Sequence, residues 1–277
     1  MKDRYSKRED FEIDDGVLVK YFGEGNIVEV PEGISVIYDT AFFRKAHITK
    51  LTLPEGIEEI GEHAFYFCRR LTELNLPKSL KKIGKYALSD SAIRSVNLPL
   101  GITEIPDGCF SYCHNLSRLG LNEKITVIGK RAFSLCSALK EIKLPKSLEM
   151  IDERAFSACR ALERVEFNEG LTEIGYGAFD DCNKLQSVLL PSTLKRTGFF
   201  AFRKCTNLKE VVIIGEDTEV ASSAFTECNK NLKVVRLPSS VKRVDMSSPD
   251  GVVSFYCPEP KKLPKEAKKL KSIRILE

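Results

Sequence analysis

One unit of about 23 residues recurs along most of the chain, and this restricts the fold more than any other feature. It is plainest in Leu51–Leu71, where an apolar-x-apolar triplet begins the unit. The first apolar residue of each triplet is Val28, Leu51, Leu74, Val96, Leu119, Ile142, Val165, Val188, Val211 or Val235. Successive spacings are 23, 23, 22, 23, 23, 23, 23, 23 and 24. A unit this short cannot bury its own apolar face. Stacked copies can, so the chain is read as a solenoid whose turns share one continuous core.

Each position has a physical task. In Leu51-Thr52-Leu53 the in-out-in alternation predicts a strand with one buried face. Proline follows at Pro31, Pro54, Pro77, Pro99, Pro145, Pro191 and Pro238, where it ends the strand because it has no N–H to donate. Asn122, Asn168 and Ile214 take its place in three turns. A second apolar pair, such as Ile57 and Ile60, leads to glycine at Gly61, Gly84, Gly129, Gly175 and Gly198, read as a tight turn with unusual dihedrals. The segment xxAFxxC closes the unit. Ala64, Phe65 and Cys68 have the spacing of a short helical or 3₁₀ piece. Phenylalanine fills this core position in every turn from Phe42 to Phe225 except at Leu88, and each buried ring contributes on the order of 2 kcal/mol.

The pattern LxxLxLPxxLxxIGxxAFxxC resembles the BspA-like (Treponema pallidum type) leucine-rich repeat family over about 220 residues. The resemblance implies an α/β solenoid: a right-handed leucine-rich repeat superhelix of about ten turns, with a parallel β-sheet on one face and capped ends. It also implies protein recognition, often as bacterial or protist surface proteins and adhesins. The expected organisation is an N-terminal tail and cap at 1–27, a solenoid at 28–246 and a C-terminal cap at 247–277. In the first cap, residues 1–10 are expected to fray, 11–27 to form a strand pair, and Gly23–Gly25 to be its hairpin turn. In the second, a strand at 252–257, a short helix at 263–270 and a last strand at 272–276 are expected.

Nine cysteines invite a disulfide or zinc reading, but seven of them (Cys68, Cys113, Cys136, Cys159, Cys182, Cys205 and Cys228) fall at one repeat position. Residues stacked one strand spacing apart, with parallel Cα–Cβ vectors, have the wrong geometry for a disulfide. A ladder of free, buried thiols is expected instead. Cys109, Cys113 and His114 fit no zinc or haem spacing, so no cofactor and no metal is expected. No catalytic constellation breaks the repeat, which argues against an enzyme.

Lys plus Arg exceed Asp plus Glu by four, too mild an excess to suggest nucleic acid. No apolar run is long enough to span a membrane. The polar N-terminus lacks the apolar segment of a signal peptide, so the sequence alone suggests the cytoplasm, whereas the family resemblance suggests the cell surface or secretion. The expected partner is a protein. The chain itself is expected to be a monomer or weak dimer, with a structural spacer or self-associating module as the alternative role. On the strand face most outward residues are polar, for example Thr52, Asn75, Lys143 and Glu166. Leu189, Val212, Ile214 and Val234 form the stretch that departs from this background; an exposed apolar patch marks a candidate interface, and with Arg236 beside them these are the candidate protein-binding residues. Phe199-Phe200 is a second departure, since the matching pair elsewhere is Glu62-His63.

Overall fold

A computed structural model describes residues 3–215, 218–221 and 223–228 in full. It describes the strands Val234–Arg236, Arg243–Val244 and Ser254–Tyr256 by their backbone. The chain is a β-solenoid of about nine turns, with almost no helix among the described residues. Each of the ten triplets is a strand, which gives nine steps from first to last. Two compact units, Met1–Leu139 and Lys140–Glu277, divide the chain.

In the first unit the triplet strands Ile27–Glu29, Lys50–Thr52 and Glu73–Asn75 pair in parallel and in register, Val28 beside Leu51 and Leu51 beside Leu74. A second parallel ladder, not expected from the sequence, is built from dipeptides such as Val36–Ile37, Glu59–Ile60 and Lys82–Ile83. The sheet is therefore not confined to one face. Both ladders stop at the 22-residue turn: Glu73–Asn75 does not pair with Ser95–Asn97, nor Lys82–Ile83 with Glu104–Ile105. The pairing resumes one turn later, Val96 beside Leu119, and the triplet strands are interrupted again at a 23-residue step, where Arg164–Glu166 does not pair with Ser187–Leu190. In the second unit Glu141–Lys143 pairs with Arg164–Glu166, and Ser187–Leu190 with Glu210–Ile213, Val234–Arg236 and Ser254–Tyr256 in succession.

The AFxxC segment is not helical. The residue before Ala and the residue before Cys adopt left-handed backbone in turn after turn, as at His63 (φ 54°) and Phe67 (φ 62°). Alternate N–H groups then point to the next turn: His63, Phe65 and Phe67 donate to the carbonyls of Lys85, Ala87 and Ser89. The intervening amides fold back three residues, Tyr66 to His63 and Cys68 to Phe65. This corner is a third hydrogen-bonded ladder, and it continues through the 22-residue turn, where Leu88 donates to Cys109 and Asp90 to Ser111. The Ala, Phe and Cys spacing suits a helical turn equally well, but the acceptors lie in the neighbouring coil.

Two further expectations are corrected. The glycine row does not need unusual dihedrals, since Gly61, Gly84, Gly129, Gly175 and Gly198 have no positive φ. It marks close approach: a Cβ on Gly175 would lie 2.8 Å from the carbonyl carbon of Asp152 in the preceding turn. The described N-terminal residues, 3–10, do not fray. Ser6 donates to the carbonyl of Ile27, Ile27 donates to that of Arg4, and Arg8–Asp10 forms a 3₁₀ turn. The expected strand pair is present as Phe11–Asp14 and Val17–Tyr21, antiparallel. Its turn is Asp15-Gly16 (φ 40° and 75°), the pairing of residues that suits a two-residue hairpin, and not Gly23–Gly25. The hairpin docks by placing Leu18 beside Ile37 in the second ladder.

Aromatic rings fill the core. Tyr21, Phe42 and Phe65 stack at 5.2 and 5.1 Å, and Phe110 stacks on Phe133 at 5.3 Å. Leu88 separates these groups. In the second unit Phe156, Phe179, Phe202 and Phe225 stack at 5.2–5.3 Å. The helix and last strand expected after residue 257 lie outside the described residues, while Ser254–Tyr256 is a strand as expected.

Candidate functional site

The strand face of the second unit is set by alternation. Val188, Leu190, Val211 and Ile213 point into the core and are buried. Leu189 therefore points outward and is 56% exposed. It sits beside Val212, itself half-buried, and Val212 sits beside Arg236. These three positions form one row across adjacent strands. Ile214 lies two residues beyond Val212 on the same face, 42% exposed, and its N–H donates to the carbonyl of Leu190. Val234 is in the neighbouring row, its backbone paired beside Glu210 rather than Val212. The side chains of Val234 and Arg236 lie outside the described residues. The structure thus brings Leu189, Val212 and Ile214 together, and places Val234 and Arg236 on the next strand.

Polar chemistry in this unit is scaffolding. Arg203 donates to Asp180 through Nε at 2.9 Å and Nη2 at 2.6 Å, and Asp180 is almost fully buried. The hydrogen bond to Asp180 raises the Arg203 pKa further. Arg203 also lies over the Phe200 ring at 5.0 Å, and Tyr176 meets Phe200 edge-on at 5.6 Å. Phe199, beside it, is 57% exposed. The sequence oddity at Phe199-Phe200 is thus partly a stacking platform around a part-buried ion pair.

The thiols are not reactive groups. All eight described cysteines are free and buried. Burial pushes the Cys68 thiol up to about 12 and Cys113 up to about 11, and Cys182 and Cys205 well above the ordinary value. The thiols act as hydrogen-bond donors: Cys68 Sγ donates to the carbonyl of Phe42 at 3.2 Å, Cys182 to Phe156 at 3.2 Å and Cys205 to Phe179 at 3.3 Å. Each bond reaches into the preceding turn. Among the described residues no group of three His, Cys, Asp or Glu side chains is placed to hold a metal ion. Among them, too, no helix is long and apolar enough to cross a membrane.

A family model of the BspA type leucine rich repeat region matches in six copies, over residues 35–148 and 126–248. The chain belongs to that family. Several solved structures share the fold. A leucine-rich repeat protein from Bacteroides ovatus is 26% identical, with a TM-score of 0.70 over 83% of this chain and 62% of that one. The chain therefore spans less than two thirds of that relative's length. The Treponema pallidum leucine-rich repeat protein TpLRR is 22% identical, with a TM-score of 0.60 over 74% of this chain and 91% of that one. The pneumococcal vaccine antigen PcpA is 19% identical, with a TM-score of 0.55 over 92% of this chain and 67% of that one. No curated protein matches significantly in sequence.

The strand-face pattern does not single out one group of outward residues. In the middle turns the position after the core phenylalanine is serine, at Ser111, Ser134 and Ser157, but in the first two turns it is Phe43 and Tyr66. A comparison of outward corner positions across turns is the signal that reveals them.

Proposed function

We propose that this BspA-type chain is a non-catalytic scaffold that recognises a protein partner through the strand face of its second unit. Leu189, Val212 and Ile214 supply the apolar centre, and Val234 and Arg236 extend it. The observation that carries this reading is the exposure of Leu189 beside Val212, on a lattice whose other outward positions are mostly polar. A leucine held outward by an obligatory alternation gains nothing from water, and burying it in a complex contributes about 2 kcal/mol. An adhesin-like role is the cell-surface form of the same reading.

The test immobilises wild type beside the Leu189→Asp/Val212→Asp variant and exposes both to fractionated cell envelope, cytosol and extracellular matrix. Retained proteins are identified by mass spectrometry, and circular dichroism confirms that the variant is folded. A protein held by wild type and lost by the folded variant supports the reading, and its fraction of origin assigns the compartment. If wild type retains only its own copies, and sedimentation shows a dimer that the variant lacks, the chain is instead a self-associating module.

A further inference from the structure

The first unit carries an outward cluster that the strand face leaves unexplained. Phe43 and Tyr66 occupy equivalent corner positions in adjacent turns, with ring centres 5.9 Å apart. Tyr66 meets Phe67 at 4.2 Å, and Phe43 meets Phe67 at 6.3 Å. His63 joins them to Tyr86, 5.2 Å from each of Tyr66 and Tyr86. All of these rings are half-buried, so they present a continuous aromatic surface.

Arg44 lies over this surface. Its guanidinium carbon is 5.3 Å from the Phe43 ring and 5.4 Å from the Phe67 ring, and the residue is exposed. Among the described residues no carboxylate lies within 4.0 Å of it. The contrast is Arg69, which also lies over Phe67 at 4.8 Å but is held by Asp90 through Nε at 2.9 Å and Nη2 at 2.7 Å. Arg160 and Asp181 repeat that pairing in the second unit. Arg44 stands at a different corner position, that of Phe67 and Asp90, and stacks on the same ring without such an acceptor. Stacking orients a guanidinium while leaving its N–H edge available, and such a fork suits a carboxylate.

We propose that this corner binds an acidic peptide segment of a protein partner. Arg44 takes the carboxylate, and the Phe43, Tyr66 and Phe67 rings take the apolar side chains flanking it. The site is separate from the strand face and does not depend on it. A polyanion fits less well. Asp39, Glu62 and Asp90 are interspersed on the same turns, Arg69 is already paired, and Lys45 lies over the Tyr21 ring at 5.3 Å. A nucleic acid or sulfated glycan draws its affinity from a run of uncompensated cations, whereas a single carboxylate set among apolar groups needs one.

The test titrates the full chain into a fluorescein-labelled decapeptide with one glutamate between two phenylalanines, followed by anisotropy. A second decapeptide has glutamine in place of the glutamate. The expected result is saturable binding of the first, weakened about tenfold or more by Arg44→Gln and by the glutamine peptide. Phe43→Ser should weaken it as well. Arg44 is exposed, so Arg44→Gln is expected to keep the wild-type melting temperature. Leu189→Asp/Val212→Asp should bind the peptide as wild type does, whatever becomes of its own partner. Equal binding of both peptides, wild-type affinity in Arg44→Gln, or no binding up to ~1 mM overturns the proposal. So does binding of a heparin hexasaccharide in place of the peptide, or loss of the peptide in the strand-face variant.

Discussion

The cysteine ladder shows how much one residue position can carry. Its period is plain in the sequence, and so is the unsuitability of stacked cysteines for disulfides. What spacing does not reveal is that each thiol donates to a phenylalanine carbonyl one turn back, because that acceptor is supplied by the stacking itself. We predict that iodoacetamide at pH 8 leaves Cys68, Cys113, Cys182 and Cys205 unmodified in the folded chain and alkylates them after denaturation, read by peptide mass spectrometry. Labelling at a native rate equal to the unfolded rate would contradict the burial. The same thiols set a pH limit. Their folded values are raised above the unfolded value near 9, so their contribution is complete below that pH. It is lost as pH rises from about 9 towards about 12, the value reached by Cys68. Stability measured in urea should therefore fall across that window, and less so in a variant with Cys68 and Cys205 replaced by alanine. The glycine row gives a sharper test. A methyl group at Gly175 would meet the backbone of Asp152, so Gly175→Ala should lower stability by about 2–4 kcal/mol, whereas the same change at Gly33, which has open space but a φ of 85°, should cost about 1 kcal/mol.

Among the elements, the triplet strands were legible because their period of two differs from any helical period. The corner was not. Ala64, Phe65 and Cys68 are spaced as on one helical turn, and only the neighbouring coil decides where their N–H groups go. Left-handed backbone at two residues per turn is strained for any side chain, and Gly108 and Gly177 relieve it in two turns. Arg131 (φ 54°) is exposed at the same position, so Arg131→Gly should raise stability by roughly 0.5–1 kcal/mol, the strain relieved exceeding the entropy added to the unfolded chain. A lowered urea midpoint would show that the corner is not strained. The part-buried Arg203–Asp180 pair predicts the opposite sign. Arg203→Ala leaves a carboxylate without its partner and should cost about 1–3 kcal/mol, and adding Asp180→Asn should recover part of it.

At the scale of the whole chain, the 23-residue period was enough to read a stacked solenoid, its core and its family. The strand face was legible too, since alternation fixes which residues point outward. The aromatic corner of the first unit was not, because its members are recognisable only once turns are superposed and the outward positions compared. The 22-residue spacing was visible, but not the gap that accompanies it. Two of the three ladders are interrupted at that step, while the corner runs through it. Amides in residues 95–105 should accordingly exchange with deuterium faster than those in residues 50–60, which pair on both sides.

That uneven stitching has a mechanical meaning. A chain held only by contacts between successive coils yields to tension by peeling, one coil after another, rather than by a single rupture. Each coil of 23 residues releases about 80 Å of contour length. Pulled between optical traps, the molecule would lengthen in steps of that size, and the coil fastened by one seam instead of three would give way at the lowest force.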